Sequence, residues 1–195
     1  MQSREAALPA SRRAIRASAN SIRAIHRGDW DAAEALMGDA HAAIAEGLAA
    51  VERHPEIRFA GYLQDAQKEF AEARITQAVV GGADRLPSAE ELGVEDAPYL
   101  NGMAEAIGEA RRHILDLLRQ GEVDRGERIL AAMEDMYYVL ISMDYPDAIT
   151  GNLCRSTDVA RSLIEKTRGD LSAAIVGRSL RDALDRHARE VRGGA

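Results

Sequence analysis

The chain has 195 residues, of which 46% are apolar and only 4% aromatic, and this length predicts one domain over residues 1–195 with one substantial core. Helix formers dominate and no segment alternates as a strand would, so the composition favours an all-α fold and excludes a β-rich one. A net charge of −7 means that any nucleic-acid site has to be local, and without a long apolar run or a secretory signal we expect a cytoplasmic protein that does not contact membranes.

Glycine and proline residues divide the first half of the chain into three predicted helices. The first covers about 9–27, opened by a proline and a serine, and the second covers about 30–53 after Gly28 and an aspartate N-cap. Pro55 opens the third helix, which ends near residue 80 at a pair of glycines. Apolar residues of the third helix share one stripe: Phe59, Leu63, Ala66, Phe70 and Ala73.

The next three predicted helices lie between residues 88 and 143. A short helix over 88–92 begins with a serine-glutamate capping box. Helices over about 97–119 and 123–143 are separated only by a glycine turn, so we expect them to form an antiparallel hairpin. The first helix of this hairpin presents an apolar stripe to the core: Met103, Ile107, Ala110, Ile114 and Leu117.

Two more helices are predicted towards the end of the chain. Pro146 suits the first position of a helix that reaches Arg168, where Gly169 should end it. A last amphipathic helix covers about 171–191. The pattern therefore predicts a bundle of helices with little intervening structure.

Four carboxylates fall at spacings that bring them to one side of two predicted helices. Glu69 and Glu72 are three residues apart, and Glu105 and Glu109 are four apart, so each pair shares a helix face. If the two helices pack side by side, these like charges need a proton, a base or a cation. Oxygen ligands suit Mg²⁺ or Mn²⁺, which can activate water for phosphodiester hydrolysis. An ordinary solvated acidic face is the alternative interpretation.

Arginine residues form a second feature, on the first predicted helix. Arg12, Arg16, Arg23 and Arg27 follow one stripe that spans about 22 Å, long enough to contact several phosphates of a single strand. An exposed arginine face, or salt bridges to a neighbouring subunit, would produce the same pattern.

Other common chemistries find no support in the sequence. The five histidines show no H-x-x-x-H pair, and no Walker loop or dinucleotide-binding glycine turn occurs, so zinc and nucleotide sites are not indicated. Cys154 is the only cysteine, which excludes an intrachain disulfide and a thiolate cluster.

The segment at 99–112, YLNGMAEAIGEARR, resembles the Y-L-x-G-x-A-D/E-x-x-G-E-x-x-R motif of the translin family. The order of other features agrees, with KEFAEA at 68–73 upstream and LIEKTRG at 163–169 downstream. The resemblance covers residues 10–170 and implies a translin-type helical bundle of about six to seven helices. Residues 171–192 would then be an additional C-terminal helix.

The resemblance implies a hollow homo-oligomer, an octamer, that holds single-stranded RNA inside, with single-stranded DNA as a further candidate ligand. The four acidic positions place the chain closer to the Trax branch, whose members bind Mg²⁺ and cleave single-stranded RNA, than to translin, which lacks those acids. The implied catalytic residues are Glu69, Glu72 and Glu105, and the implied metal ligands are these three with Glu109. Trax proteins have Asp where this chain has Glu105. Arg112, on the predicted helix over about 97–119, is a further expected nucleic-acid contact.

Three functional hypotheses follow. The first is a Mg²⁺- or Mn²⁺-dependent endoribonuclease, and the second is a non-catalytic translin-like protein that binds RNA or DNA. The third is a helical scaffold that binds no nucleic acid.

Overall fold

A computed structural model describes residues 2–54, 59, 61–143 and 145–193. Within them the chain forms six long helices and two of a single turn: α1 (Gln2–His26), α2 (Trp30–Ala50), α3 (Gly61–Gly81), α4 (Ala89–Leu92), α5 (Asp96–Gln120), α6 (Val123–Ile141), α7 (Asp147–Thr150) and α8 (Leu153–Gly193). This part of the chain contains no strand, so the predicted all-α bundle is confirmed. None of its helices combines the length and the apolar character needed to cross a bilayer.

The helices pack around a central pair, α3 and α5. Helices α1 and α2 form a hairpin that covers α3, whereas α6 and α8 pack against α5 on the other side. Besides a small cluster of Ala7, Val51 and Leu63, the core accordingly divides into two large clusters. One contains Ile25, Met37 and Phe70, and the other contains Ile114 and Leu171 with their neighbours. The crossing of α3 and α5 lies between them.

Local start and stop signals act as predicted. The Asp29 side chain accepts a hydrogen bond from the Ala32 amide at the start of α2, and Ser88 and Glu91 form the capping box of α4. Gly121 has φ +81° and joins α5 to α6 in a tight turn. The predicted core stripe of α5 is buried throughout.

The predicted start of the first helix is wrong, because α1 begins at Gln2 and continues through Pro9. A proline inside a helix removes one backbone hydrogen bond. Here the first turns are held by packing, since Ala7 is fully buried with Val51 and Leu63. The Ser11 hydroxyl is not an N-cap and donates to the Ala7 carbonyl oxygen at 3.0 Å.

The third helix differs from its prediction at its start. Pro55, the predicted first residue, lies outside the described residues, and the described part of α3 begins at Gly61. Phe59 precedes this helix and is 67% exposed, so its assignment to the apolar stripe is wrong. The remaining four residues of that stripe are buried.

The C-terminal helices also differ from their prediction. Instead of one helix from Pro146, the chain forms the single turn α7 and then reverses at Gly151 and Asn152, whose φ values are +63° and +67°. The predicted end at Gly169 is wrong, because α8 is continuous over 41 residues. Leu171 is buried against α6, so packing on both sides of Gly169 outweighs the helix cost of one glycine, about 1 kcal/mol.

The last part of α8 is exposed. The Arg178 side chain pairs with Asp124 of α6 at 2.9 Å, and every described side chain after it is exposed. Val176, Leu180 and Leu184 follow one another at four-residue steps and are each 59–68% exposed. The helix therefore continues past the bundle with an apolar stripe that no described residue covers.

Candidate metal centre

Gly102 allows α3 and α5 to cross unusually closely. A Cβ atom at this position would lie 2.6 Å from the Lys68 carbonyl oxygen and 2.9 Å from both the Ala71 Cβ and the Glu72 amide nitrogen. No other residue would fit without moving one helix. Since Glu105 is three residues after Gly102 on the same face of α5, this crossing brings it towards the acidic residues of α3.

Three carboxylates meet at this crossing. Glu69, Glu72 and Glu105 each offer an oxygen, and these oxygens all lie within 4.8 Å of one another. Their exposure differs, because Glu72 is only 9% exposed whereas the Glu105 side chain is 41% exposed. The crossing thus holds a cluster of three acids, called here the carboxylate cluster, with one member buried and one at its edge.

Of the three acids in the carboxylate cluster, Glu72 is the one whose ionisation is most unfavourable. It makes no hydrogen bond or ion pair with any residue that the structure describes. Burial first, and then the negative charges of Glu105 and Glu69, together raise the pKa of its carboxyl from 4.5 to about 8. Burial also raises the pKa of Glu69. Without a cation, Glu72 is therefore mostly protonated at neutral pH.

Lys68 provides a positive charge beside the carboxylate cluster. Its Nζ donates a hydrogen bond to Glu105 Oε1 at 2.7 Å and lies 3.5 Å from Glu69 Oε1. Burial by itself would lower the pKa of Lys68, but the hydrogen bond and the charge of Glu105 outweigh it and raise the pKa. The ammonium and the proton on Glu72 together compensate two of the three acids.

Glu109 lies outside the carboxylate cluster and is held by a histidine of α1. His26 Nε2 is 2.5 Å from Glu109 Oε2, and the His26 side chain is 6% exposed. This hydrogen bond lowers the pKa of Glu109. The other ring nitrogen, His26 Nδ1, is buried without a hydrogen-bond partner among the described residues, and the ring faces His113 at 6.1 Å. The charge of Glu109 still acts on Glu72 and contributes to its raised pKa.

The donor set of the carboxylate cluster fits a hard divalent cation. All three ligands are carboxylate oxygens, which Mg²⁺ and Mn²⁺ prefer over nitrogen or sulfur. Opposite ligands of Mg²⁺ are about 4.2 Å apart, so a small rotation of the half-exposed Glu105 would close the site. A cation bound here would neutralise the buried and unpaired Glu72 carboxylate, and this favours binding.

Comparisons with known proteins agree with this architecture. No protein-family model matches the chain. The uncharacterized protein MJ0175 of Methanocaldococcus jannaschii is 34% identical over 185 residues, which cover 94% of this chain and 81% of that protein. AfC3PO, solved in a complex with duplex RNA, is 34% identical with a TM-score of 0.80, covering 90% of this chain and 91% of its own. The chain belongs to the translin family.

Two further C3PO structures extend the comparison. AfC3PO in a second crystal structure is 33% identical with a TM-score of 0.78, and the two chains cover 88% and 89% of each other. NeC3PO without ligand is 21% identical with a TM-score of 0.79 over 89% of each chain, which shows the shared translin fold alone.

Four residues of the translin motif on α5 have structural roles: Tyr99, Gly102, Glu105 and Glu109. Tyr99 donates its hydroxyl hydrogen to the Pro87 carbonyl oxygen at 2.8 Å, which ties α5 to the loop before α4. Gly102 permits the helix crossing, Glu105 joins the carboxylate cluster, and Glu109 pairs with His26. The motif therefore describes one continuous face that holds α1 and α3 against α5.

The predicted arginines lie on the surface of this translin-family bundle. Arg12, Arg16 and Arg23 are exposed on α1 and Arg27 is exposed directly after it, and Arg23 donates to the Asn20 side chain at 2.7 Å. The side chain of Arg112 on α5 is 57% exposed, and its Nη1 lies 3.7 Å from Glu109 Oε2.

Three residues of the site were not assigned a role from the sequence. His26 is 83 residues from Glu109, so no local spacing could connect them. Lys68 is adjacent to Glu69 in the sequence, and this position was a signal that a cation accompanies the acids. Gly102 belongs to the translin motif, but the close approach of the two backbones that it permits appears only in the tertiary structure.

Proposed function

We propose that this protein binds RNA and cleaves it with a Mg²⁺ or Mn²⁺ ion held by the carboxylate cluster, inside a homo-oligomer. The observation that carries the proposal is the meeting of Glu69, Glu72 and Glu105, with Glu72 buried and unpaired, in a translin-family chain. AfC3PO, a relative of similar length, has been solved with duplex RNA. Acidic residues at all four positions favour the Trax branch of the family.

The three acids have different tasks in this proposal. Glu69, Glu72 and Glu105 would hold the ion, and a bound ion of this kind activates a water molecule and stabilises the charge that develops on a phosphodiester. Glu72 is too buried to reach the RNA, so it serves only as a ligand. Glu105 is the most exposed of the three and lies where a phosphate would approach. Glu109, kept ionised by His26, adds negative charge to the site, and as a metal ligand it would have to leave that histidine.

The arginine stripe supplies a route to the site. Helix α1 ends at His26, whose side chain contacts Glu109, so Arg27 is adjacent in sequence to a residue of the site. Arg12 and Arg16 form no ion pair with any residue that the structure describes, which leaves their guanidinium groups available for phosphates. The stripe spans about 22 Å, long enough to contact several phosphates of a single strand.

Assembly into a homo-oligomer, with eight subunits expected, would cover surfaces that a single chain leaves open. Val176, Leu180 and Leu184 present an apolar stripe beyond the bundle, and contiguous exposed apolar surface of this kind usually marks an interface. Light scattering coupled to gel filtration measures the number of subunits directly.

The deciding experiment is cleavage of labelled single-stranded and duplex RNA with Mg²⁺, with Mn²⁺ or with chelator. Wild-type protein should cut only with metal, and Glu72→Gln should bind RNA but lose cleavage by a factor of at least about 100. Glu127→Gln on α6 is the matched control, because Glu127 is exposed and pairs with no described residue. Metal-independent cutting, or full activity of Glu72→Gln, would contradict the assignment.

RNA binding has its own test. The double change Arg12→Gln and Arg16→Gln should weaken binding and reduce the slope of log affinity against log salt by about 1.4 for a single strand. Arg119→Gln, an 84% exposed arginine near the end of α5, is the control and should change neither. Competition with single-stranded DNA determines whether the site requires the 2′-hydroxyl.

A non-catalytic RNA-binding protein is the second candidate, and one observation favours it. Lys68 and the proton on Glu72 already neutralise much of the carboxylate cluster, so the fold does not require a metal. Intact RNA in every cleavage reaction, together with arginine-dependent binding, would establish this second function.

A further inference from the structure

Lys68 occupies the side of the carboxylate cluster that a divalent cation would use. Its ammonium is 2.7 Å from Glu105 and 3.5 Å from Glu69, which are two of the three potential ligands. A divalent cation bound by the same two carboxylates would lie within a few ångströms of this ammonium. Repulsion at that distance is strong even with partial screening by water. The ammonium and the cation therefore compete for Glu69 and Glu105.

A cavity next to the carboxylate cluster can receive the displaced side chain. It has a volume of about 580 Å³, and Lys68 and Glu105 form part of its wall. The wall also contains the neutral polar side chains of Gln64, Asn101 and Ser156. Asp65 is a second acid in this wall and would attract a released ammonium. Rotation of the long lysine side chain into this cavity requires no change in the backbone.

An ammonium group in this cavity would lie beside the proposed reaction site, where it could contact a phosphate of the RNA. Glu105 lies both in the carboxylate cluster and in the cavity wall, so the cavity opens beside the proposed reaction site. A phosphate next to the scissile bond needs a cationic partner, and lysine is a common phosphate ligand. Among described residues, Lys68 is the only basic one in the wall of this cavity.

We propose that Lys68 neutralises the carboxylate cluster in the metal-free protein, and that a divalent cation releases its ammonium into the adjoining cavity, where it binds a phosphate of the RNA strand. This inference rests on the proposed function, because it requires metal binding by the carboxylate cluster. It assigns Lys68 two successive partners, first the acids and then the substrate.

The competition between Lys68 and the cation is tested by measuring Mn²⁺ binding. Electron paramagnetic resonance gives the concentration of free Mn²⁺ in each titration. Lys68→Met should bind Mn²⁺ roughly tenfold more tightly than wild type, because a competing charge is removed. Lys166→Met is the matched control, since Lys166 is the only other lysine, is exposed on α8, and should leave the affinity unchanged.

Lysine acetylation measured by mass spectrometry tests the release of the Lys68 ammonium in the wild-type protein. With only two lysines, each site can be followed separately. Mn²⁺ should increase the acetylation rate of Lys68 several-fold and leave that of Lys166 unchanged. Glu105→Gln should expose Lys68 in the same way without metal, because it removes the carboxylate that holds the ammonium.

Cleavage kinetics test the phosphate contact. At saturating Mn²⁺, Lys68→Met should raise the KM for RNA roughly tenfold, as expected for the loss of one charged hydrogen bond. Lys68→Arg keeps the positive charge, so its KM should be close to that of wild type. If wild type binds Mn²⁺ while acetylation of Lys68 and the affinity of Lys68→Met stay unchanged, the proposal for Lys68 is wrong and the metal site stands. If neither wild type nor Lys68→Met binds Mn²⁺, both fail. Binding by Lys68→Met alone would support the competition.

Discussion

Glu72→Gln should make the metal-free protein more stable at alkaline pH, although glutamate and glutamine have nearly the same shape. The wild-type carboxyl is buried beside Glu69 and Glu105 without a hydrogen bond or ion pair among the described residues. Burial first, and then those two charges, raises its pKa from 4.5 to about 8. The folded protein therefore resists ionisation of a group that ionises readily in the unfolded chain.

The sign and size of the effect follow from proton binding. An acid with a folded pKa above its unfolded pKa binds more protons in the folded state between those values, so stability falls as pH rises through that window. For Glu72 the window runs from 4.5 to about 8. The complete effect is on the order of 4 kcal/mol, and coupling to Glu69 and Glu105 distributes part of it over the neighbouring acids. The neutral amide of the variant avoids this cost.

Urea denaturation followed by circular dichroism measures the difference, with chelator present and at several pH values. The free energy of unfolding of Glu72→Gln should equal that of wild type near pH 4.5 and exceed it by roughly 3 kcal/mol near pH 8.5. Glu127→Gln, at an exposed position, should differ from wild type by less than about 0.5 kcal/mol at every pH. Saturating Mn²⁺ should stabilise wild type and leave Glu72→Gln nearly unchanged.

A stability difference that stays constant or shrinks as pH rises would refute this reasoning. Glu72 would then be ionised at neutral pH in the folded chain. The Lys68 ammonium would have to compensate all three acids, contrary to the distances that place it at Glu105 and Glu69.

Two further predictions concern the residues that position the site. Gly102→Ala should lower the free energy of unfolding by about 1–3 kcal/mol and weaken Mn²⁺ binding, because a methyl group would force α3 and α5 apart; Gly108→Ala, where the nearest atom is 3.8 Å away, should be neutral or stabilising. His26→Gln should cost about 1–3 kcal/mol at neutral pH through loss of its bond to Glu109, measured by the same denaturation assay. Since His26 lowers the pKa of Glu109, its contribution is present at neutral pH and should disappear as acid protonates that carboxyl.

Neighbouring residues along the chain were sufficient to predict much of the fold. The capping box of Ser88 and Glu91 and the left-handed Gly121 act through hydrogen bonds to residues three or four positions away, so their patterns are visible in the sequence. The apolar stripe of α5 and the paired spacing of Glu69 with Glu72 follow from helix geometry alone. The same geometry predicted that these acids could face Glu105, but not how close they would come.

Where the local signals pointed the other way, tertiary packing decided the outcome. Pro9 and Gly169 are unfavourable within helices, yet α1 and α8 continue through them because residues on both sides are buried against other helices. Phe59 matched the apolar period of α3 but precedes the helix and is exposed. Periodicity cannot distinguish such positions, since burial depends on where the neighbouring helices lie.

The site itself shows the same division. Sequence alone determined an all-α chain of the translin type with acids on two helices and arginines on a third. Only the tertiary structure placed Gly102 against the backbone of α3, Lys68 between Glu69 and Glu105, and His26 on Glu109. Apart from the contact of Lys68 with its neighbour Glu69, these contacts join residues 30 to 83 positions apart, and their distances depend on how closely whole helices pack. Packing of that kind leaves no periodic pattern in the chain.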